Sequence, residues 1–158
     1  MRTALIYSFN THNTSEVARL LKEELRDYDI ELINAEEVTG DQLLNYDNFI
    51  IGAPTWFNGE LPNYWDEFMP EMKELDLKGK KVAIFGNGDQ AGYPDHFVDA
   101  IGIMAEIVEK LGAATIGHFP SRGYYFEKSK ALRKDHFCGL PIDFENQPEH
   151  TAEIIKKW

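Results

Sequence analysis

Cysteine is nearly absent from this chain: Cys138 stands alone among 158 residues. No internal disulfide can therefore form, which accords with a reducing, cytoplasmic setting. Long apolar runs are also missing, since none approaches the roughly 18 residues that a membrane span requires. Residues 1–9 carry Arg2 and a short apolar run but no small-residue cleavage site after it, so they read as a first strand and not as a leader. Basic residues are scarce: 16 Lys and Arg stand against 27 Asp and Glu, for a formal net charge of −11. A nucleic acid is a poor partner for such a surface, and a basic protein face is a better one. The five histidines, His12, His96, His118, His136 and His150, show no metal-ligand spacing. The chain is long enough to bury a sizeable core without disulfides or metals, and a single domain over 1–158 is expected.

What is present is an alternation of two periodicities. Strand patterns at 3–8, 30–34, 48–53 and 81–86 alternate with helical patterns at about 13–27, 41–46 and 62–73. A longer helical pattern over 95–111, with Phe97, Ala100, Ile101, Met104, Ile107, Val108 and Leu111 on one face, stops at Gly112. That rhythm predicts an α/β fold of parallel βαβ units. A strand at 114–119 follows, and the polar, aromatic stretch at about 120–136 precedes a second apolar segment, 137–142. This order predicts an insertion that interrupts the last strand. A helix over about 150–158 closes the chain.

Three strand ends carry the chemistry. The apolar run Phe49 to Ala53 reads as a central strand covered on both faces, and it ends in Pro54-Thr55-Trp56-Phe57-Asn58-Gly59, a turn that displays an indole outside any core pattern. The run Val82 to Phe85 leads into Gly86-Asn87-Gly88-Asp89-Gln90-Ala91-Gly92-Tyr93-Pro94, a glycine-rich loop with a second ring. The first strand leads through Ser8-Phe9-Asn10-Thr11-His12-Asn13-Thr14 into a helix, so hydroxyls and free backbone N–H groups collect where an anion is favoured. In an open parallel sheet the carboxyl ends of neighbouring strands share one crevice. A phosphate-holding loop beside two aromatic loops describes a cavity for a phosphorylated planar ring.

Each of these residues has a plainer reading. Thr11, Asn13 and Thr14 are ordinary helix caps, Asp89 is an ordinary turn former, and Tyr93 alone is an ordinary loop aromatic. Trp65, Phe68, Met69 and Met72 fall at helical spacing and read as core. Cys138, in an apolar strand, reads as an inert buried thiol. The acidic series Glu60, Asp66, Glu67, Glu71, Glu74 and Asp76 is either a solvated helix face or the rim of the cavity, and the second reading is preferred because the series follows the Trp56 turn.

Over its whole length the sequence resembles the flavodoxins, most closely through Pro54-Thr55-Trp56, the run Gly86 to Asp95, and Gly139 to Pro148, with 120–136 similar to the inserted loop of the long-chain branch. The resemblance implies an open, doubly wound, five-stranded parallel sheet with helices on both faces. It also implies non-covalently bound FMN and a low-potential one-electron carrier that works mainly between the half-reduced and fully reduced flavin, without a catalytic residue or substrate of its own. By resemblance, Trp56 and Tyr93 flank the flavin, and Asp89 with its neighbours Asn87 and Gly88 meets the pyrimidine edge. The 9–14 loop with Ser8 holds the phosphate, and Asp143 lies near the ribityl chain. The Phe57 carbonyl is the group that turns toward the reduced ring, which would leave Asn58 at positive φ ahead of Gly59. Implied partners are basic-faced redox proteins, a flavodoxin or ferredoxin reductase-like donor and acceptor enzymes, met by a monomer. The chain departs from the family pattern at Phe9, where a hydroxyl residue is usual, and at His12, where glycine is usual. An NAD(P)H-dependent quinone or azo reductase of the same fold is the alternative, although rings on both faces of the flavin leave a second substrate little room.

Overall fold

A computed structural model describes all residues, 1–158. The chain runs β1 (Thr3–Tyr7), α1 (Asn13–Glu24), β2 (Ile30–Asn34), α2 (Gly40–Leu44), β3 (Asn48–Gly52), α3 (Asn63–Met72), β4 (Lys81–Asn87), α4 (Asp99–Lys110) and β5 (Ala114–Ile116). Three short strands follow, β6 (Phe119–Pro120), β7 (Leu132–Arg133) and β8 (His136–Phe137), then β9 (Leu140–Ile142) and α5 (Thr151–Lys157). The main sheet has the order β2-β1-β3-β4-β5, and every pairing in it is parallel. The strand order reverses beside β1, which opens a crevice at the carboxyl ends of β1, β3 and β4.

The fifth strand position is split. β5 pairs with the first half of β4, Lys81↔Ala114 to Ala83↔Ile116, and β9 with the second half, Phe85↔Leu140 to Asn87↔Ile142. The chain between them makes an antiparallel sheet of order β6-β8-β7. The excursion is wider than the 120–136 read from the sequence, because Gly117 takes φ +72° and ends β5 early.

Alternate residues of each strand serve opposite faces, as the pleat requires. Ala4, Ile6, Phe49, Ile51, Val82 and Ile84 join Trp65, Phe68, Met69 and Met72 of α3 and Ile101, Met104 and Val108 of α4 in one core. Leu5 and Phe85 join Val17, Ala18 and Leu21 of α1 and Ile155 of α5 in the other. Each of the Val, Leu, Ile, Phe and Met side chains among them contributes about 1.5–3 kcal/mol by leaving water. The two layers fix the sheet from both sides and leave its carboxyl edge to the loops. Trp65 also donates its indole N–H to Gly52 O at 3.0 Å, so α3 is hydrogen-bonded to the end of β3 just before the Pro54 turn. Trp158 packs at the terminus, with Nε1 donating to Gly117 O at 2.6 Å and its ring edge-on to Phe85. Cys138 is fully buried, and desolvation pushes its thiol above the usual range.

Two helices are shorter than their apolar patterns. α1 closes at Leu25. α4 begins at Asp99 instead of residue 95, because Val98 adopts a left-handed conformation, φ +49° and ψ +33°, that no helix can include. For a buried β-branched residue this is a costly geometry, and the surroundings must impose it.

Candidate functional site

A cavity of about 390 Å³ lies at the carboxyl ends of β1, β3, β4 and β9. Thr11, Asn13, Thr14, Pro54, Thr55, Trp56, Phe57, Asn87, Gly88, Asp89 and Tyr93, all singled out above, line it.

The β1–α1 loop is anchored from behind and open in front. Ser8, fully buried, donates its hydroxyl to Glu36, and Asn10 Nδ2 donates to the other Glu36 oxygen at 2.9 Å. These two bonds hold the Glu36 carboxyl below its usual range, although the group is solvent-exposed and its contribution is screened. Phe9 N donates to Asn34 Oδ1 at 3.2 Å and its ring lies 4.9 Å from that of Tyr7. Thr11 N and Oγ1 both donate to Ser8 O, at 3.3 and 2.7 Å. In front, no side chain caps α1, and the first bond onto the helix runs from Glu16 N to His12 O at 3.1 Å. The N–H groups of His12, Asn13, Thr14 and Ser15 have no acceptor in the chain. Four consecutive open donors at the positive end of a 12-residue helix make an anion cradle. The capping role open to Thr11, Asn13 and Thr14 is not taken.

The β3 turn is a tight hairpin. Trp56 and Glu60 exchange both backbone bonds at 2.8 Å, enclosing Phe57, Asn58 and Gly59. Positive φ falls on Phe57 (+49°) and Gly59 (+87°), and Asn58 is not among the left-handed residues. The Trp56 ring stands edge-on to Tyr64 with centroids 5.9 Å apart, which holds the indole at the cavity wall while Phe57 is 70% exposed.

The β4 loop and the segment after β9 brace each other. Asp143 is 2% exposed, and its carboxylate accepts five hydrogen bonds. Oδ2 takes Gln90 N, Gln90 Nε2 and Asn146 Nδ2 at 3.1, 2.8 and 2.9 Å, and Oδ1 takes Glu145 N and Asn146 N at 3.1 and 2.9 Å. Asn146 Nδ2 reaches on to Asp89 Oδ1 at 2.8 Å, which also accepts Gly92 N at 2.8 Å. Gly92 N–H, with help from Asn146, holds the Asp89 carboxyl below its usual range. Tyr93, half exposed, projects from this braced loop into the cavity wall.

The remaining sequence candidates are positioned differently. Ser8, Phe9, Asn10, His12, Asn58, Gly59 and Asp143 do not line the cavity. Ser8 and Asn10 are committed to Glu36, Gly59 is buried beneath its turn, and Asp143 has spent its oxygens on the loops. The wall position read for Asp143 is filled by its neighbours Phe144 and Glu145, and His96 supplies a further wall residue. None of these three was singled out from the sequence. Phe144 and Glu145 follow the carboxyl end of β9, so the strand-end argument applied to β1, β3 and β4 would have found them. His96 carried no such signal.

The chemistry of the wall is consistent: open amides at one end, two rings, and a hydrogen-bonding loop. Asn87 Oδ1 is buried without a partner while its Nδ2 donates to Thr14 Oγ1 at 3.3 Å, so the wall also holds an unsatisfied acceptor. An open doubly wound sheet with such a crevice defines an α/β protein built to hold a planar, phosphorylated group at its switch point. The flavodoxin family model matches residues 5–158. Flavodoxin 1 of Salmonella typhimurium is 41% identical over 157 residues, covering 99% of this chain and 89% of the relative. The flavodoxin of Synechocystis is 41% identical over 158 residues, covering 99% and 93%. The structure of Fusobacterium nucleatum flavodoxin bound to flavin mononucleotide superimposes with a TM-score of 0.94 at 27% identity, covering 99% of this chain and 93% of that one. This chain belongs to the flavodoxin family.

Proposed function

We propose that this protein carries electrons on non-covalently bound FMN, and that the cavity at the carboxyl ends of β1, β3, β4 and β9 is where FMN sits. One observation carries the placement: Asn13 and Thr14, whose N–H groups have no partner, and two aromatics, Trp56 and Tyr93, line one cavity. When bound, FMN supplies the redox chemistry itself. The chain's residues bind and tune it. The α1 amides and Thr11 receive the phosphate. Trp56 and Tyr93 cover the ring, and the Asn87-Gly88-Asp89 backbone meets its polar edge. No side chain is assigned a role as acid, base or nucleophile.

Charge sets the direction of tuning. Asp89 and Glu145 line the cavity, and Glu60, Asp66 and Glu67 are exposed beside the Trp56 turn. Carboxylates this close disfavour added negative charge, which favours a low potential for the last electron. The same charges steer a basic-faced donor or acceptor, in a monomer of one domain working in the cytoplasm. No helix is long and apolar enough to cross a membrane. The reductase alternative is disfavoured by Tyr93 at the wall, where a second planar substrate would have to lie.

Anaerobic photoreduction of the purified, FMN-reconstituted protein tests this reading. A flavin spectrum with two separated reduction steps supports it, and no flavin band after reconstitution refutes it. Rapid mixing with NADPH alone should leave the flavin oxidised, and fast reduction would instead favour the reductase.

A further inference from the structure

Among the residues lining the cavity, His96 is the only one that can become a cation, and the other titratable groups there are Asp89, Glu145 and Tyr93. Its ring is fixed from one side. His96 Nδ1 lies 3.0 Å from Asp99 Oδ2, and Asp99 is 1% exposed. The second Asp99 oxygen accepts Lys130 N at 2.8 Å, so the carboxylate is held by a bond at each end. An ionised carboxylate only accepts, so Nδ1 carries the hydrogen and Nε2, which has no partner in the chain, is left as the nitrogen that gains or loses a proton.

This pair also touches the turn after Trp56. Gly59, at φ +87°, lies so close that a Cβ there would fall 2.5 Å from Asp99 Oδ2 and 2.9 Å from His96 Nδ1. The hairpin that displays Trp56 therefore rests on the His96–Asp99 hydrogen bond. The left-handed Val98 gains a reason as well. It separates His96 from the helix, so that His96 joins the wall while Asp99 opens α4, where Ala100 N is capped by Thr55 Oγ1 at 3.0 Å.

We propose that His96, positioned by Asp99, is a proton-linked tuning residue of the FMN site: when an external one-electron donor adds negative charge to the cavity, Nε2 takes up one proton from water. The electron comes from the donor and the proton from solvent, and no bond other than N–H is made. This rests on the FMN placement above. Other charged groups bear on the ring. Asp95 is in its own segment, Glu60 closes the hairpin, and Asp89, Tyr93 and Glu145 share the wall. From the excursion come Lys130 and also Glu127 and Lys128, whose N–H groups bond Pro94 O at 2.8 and 2.9 Å. These groups are the same before and after reduction, so a comparison of the two redox states isolates the added electron.

Unit charges several ångströms apart near a protein surface alter a proton dissociation constant about tenfold. The experiment follows the His96 ring by NMR from about pH 5 to 9, in FMN-loaded protein held oxidised and then held fully reduced with dithionite. The reduced form should bind the His96 proton about tenfold more tightly. Because reduction then takes up a proton, the midpoint potential should fall as pH rises between the two ring midpoints, and His96→Gln should lose that share of the slope. Identical ring titrations in the two redox states would overturn the proposal without a variant, and so would identical potential-against-pH profiles for parent and His96→Gln. The visible flavin band, checked before any titration, separates this outcome from failure of FMN to bind.

Discussion

The two ends of the cavity are held in opposite ways. At the β4 and β9 end, Asp143, Asp89, Gln90 and Asn146 satisfy one another, so the loop that presents Tyr93 is rigid whether or not anything is bound. At the β1 end, Ser8 and Asn10 are fastened from behind, but the four amides from His12 to Ser15 have no acceptor, and two of their residues, Asn13 and Thr14, line the cavity. One half of the site is preorganised by the chain, and the other is completed by its ligand. On the proposed placement, the difference suits a cofactor that must be both oriented and retained: the braced half would set the orientation of the ring, and the open half would supply binding energy that exists only when a phosphate is present.

Removing the hub of the braced half should produce the largest effect. Asp143→Ala removes the buried acceptor of five hydrogen bonds and should destabilise the apoprotein by about 2–4 kcal/mol, read by urea denaturation. A loss below about 1 kcal/mol would show that water replaces the carboxylate and that the bracing is weaker than drawn. Next come the rings. Stacking contributes about 0.5–1.5 kcal/mol beyond buried area, so Trp56→Ala and Tyr93→Ala should each raise the FMN dissociation constant at least tenfold. Unchanged affinity in both would remove the flavin from between these loops.

A smaller effect is expected from the open half. His12 stands at the entry to α1, exposed, with its amide among the free donors. A protonated ring there would add a charge-assisted bond to a phosphate. That share of affinity is present when the imidazole is charged and is lost as pH rises and the charge disappears. FMN dissociation constants measured across the histidine range should therefore weaken on the alkaline side in the parent and not in His12→Gly. Parallel profiles would leave only the His12 amide at work. The smallest effect concerns Asp89, whose carboxyl is held below its usual range. A depressed carboxylate contributes stability that is fully present above its unfolded value and is lost as pH falls through the folded one. Amide protection in the 89–93 loop, relative to the intrinsic exchange rate, should fall in acid, and Asp89→Asn should flatten that dependence.

Much of this architecture was legible in the residues. The alternation of strand and helix patterns gives parallel units, and the core face of α3 follows directly from Trp65, Phe68, Met69 and Met72. The strand-end loops were legible for the same reason: an indole after Pro54 and a tyrosine in a glycine-rich run do not fit a core. The residues that escaped depend on distant partners. The start of α4 is set by Val98, whose backbone no local propensity favours, and the apolar pattern over 95–111 continues straight through it. Asp143 was placed near the ribityl chain by resemblance alone, with no local signal for where its carboxylate turns. Its burial under Gln90 is decided 53 positions away in sequence. His96 was missed because its only partner of note, Asp99, has meaning only once Gly59 lies on both.

The split fifth strand has a consequence for how this chain can change length. Ile116 pairs with Ala83 and Leu140 with Phe85, so only Ile84 of β4 lies opposite the point of departure and return. Gly139 is what permits the return to be so close, since a Cβ there would meet Ile84 O at 2.3 Å. The sheet thus contains an insertion port whose two lips are one residue apart. A shortened chain could cross that gap directly and leave the sheet's pairing intact. The excursion's other attachments set the cost of doing so, because Tyr125 N donates to Gln90 Oε1 at 2.6 Å and Lys130 N to Asp99 Oδ1 at 2.8 Å. The excursion lies outside the sheet's pairing but not outside the core, because its Ala131, Phe137 and Cys138 are fully buried there, so its removal should cost both folding and the site.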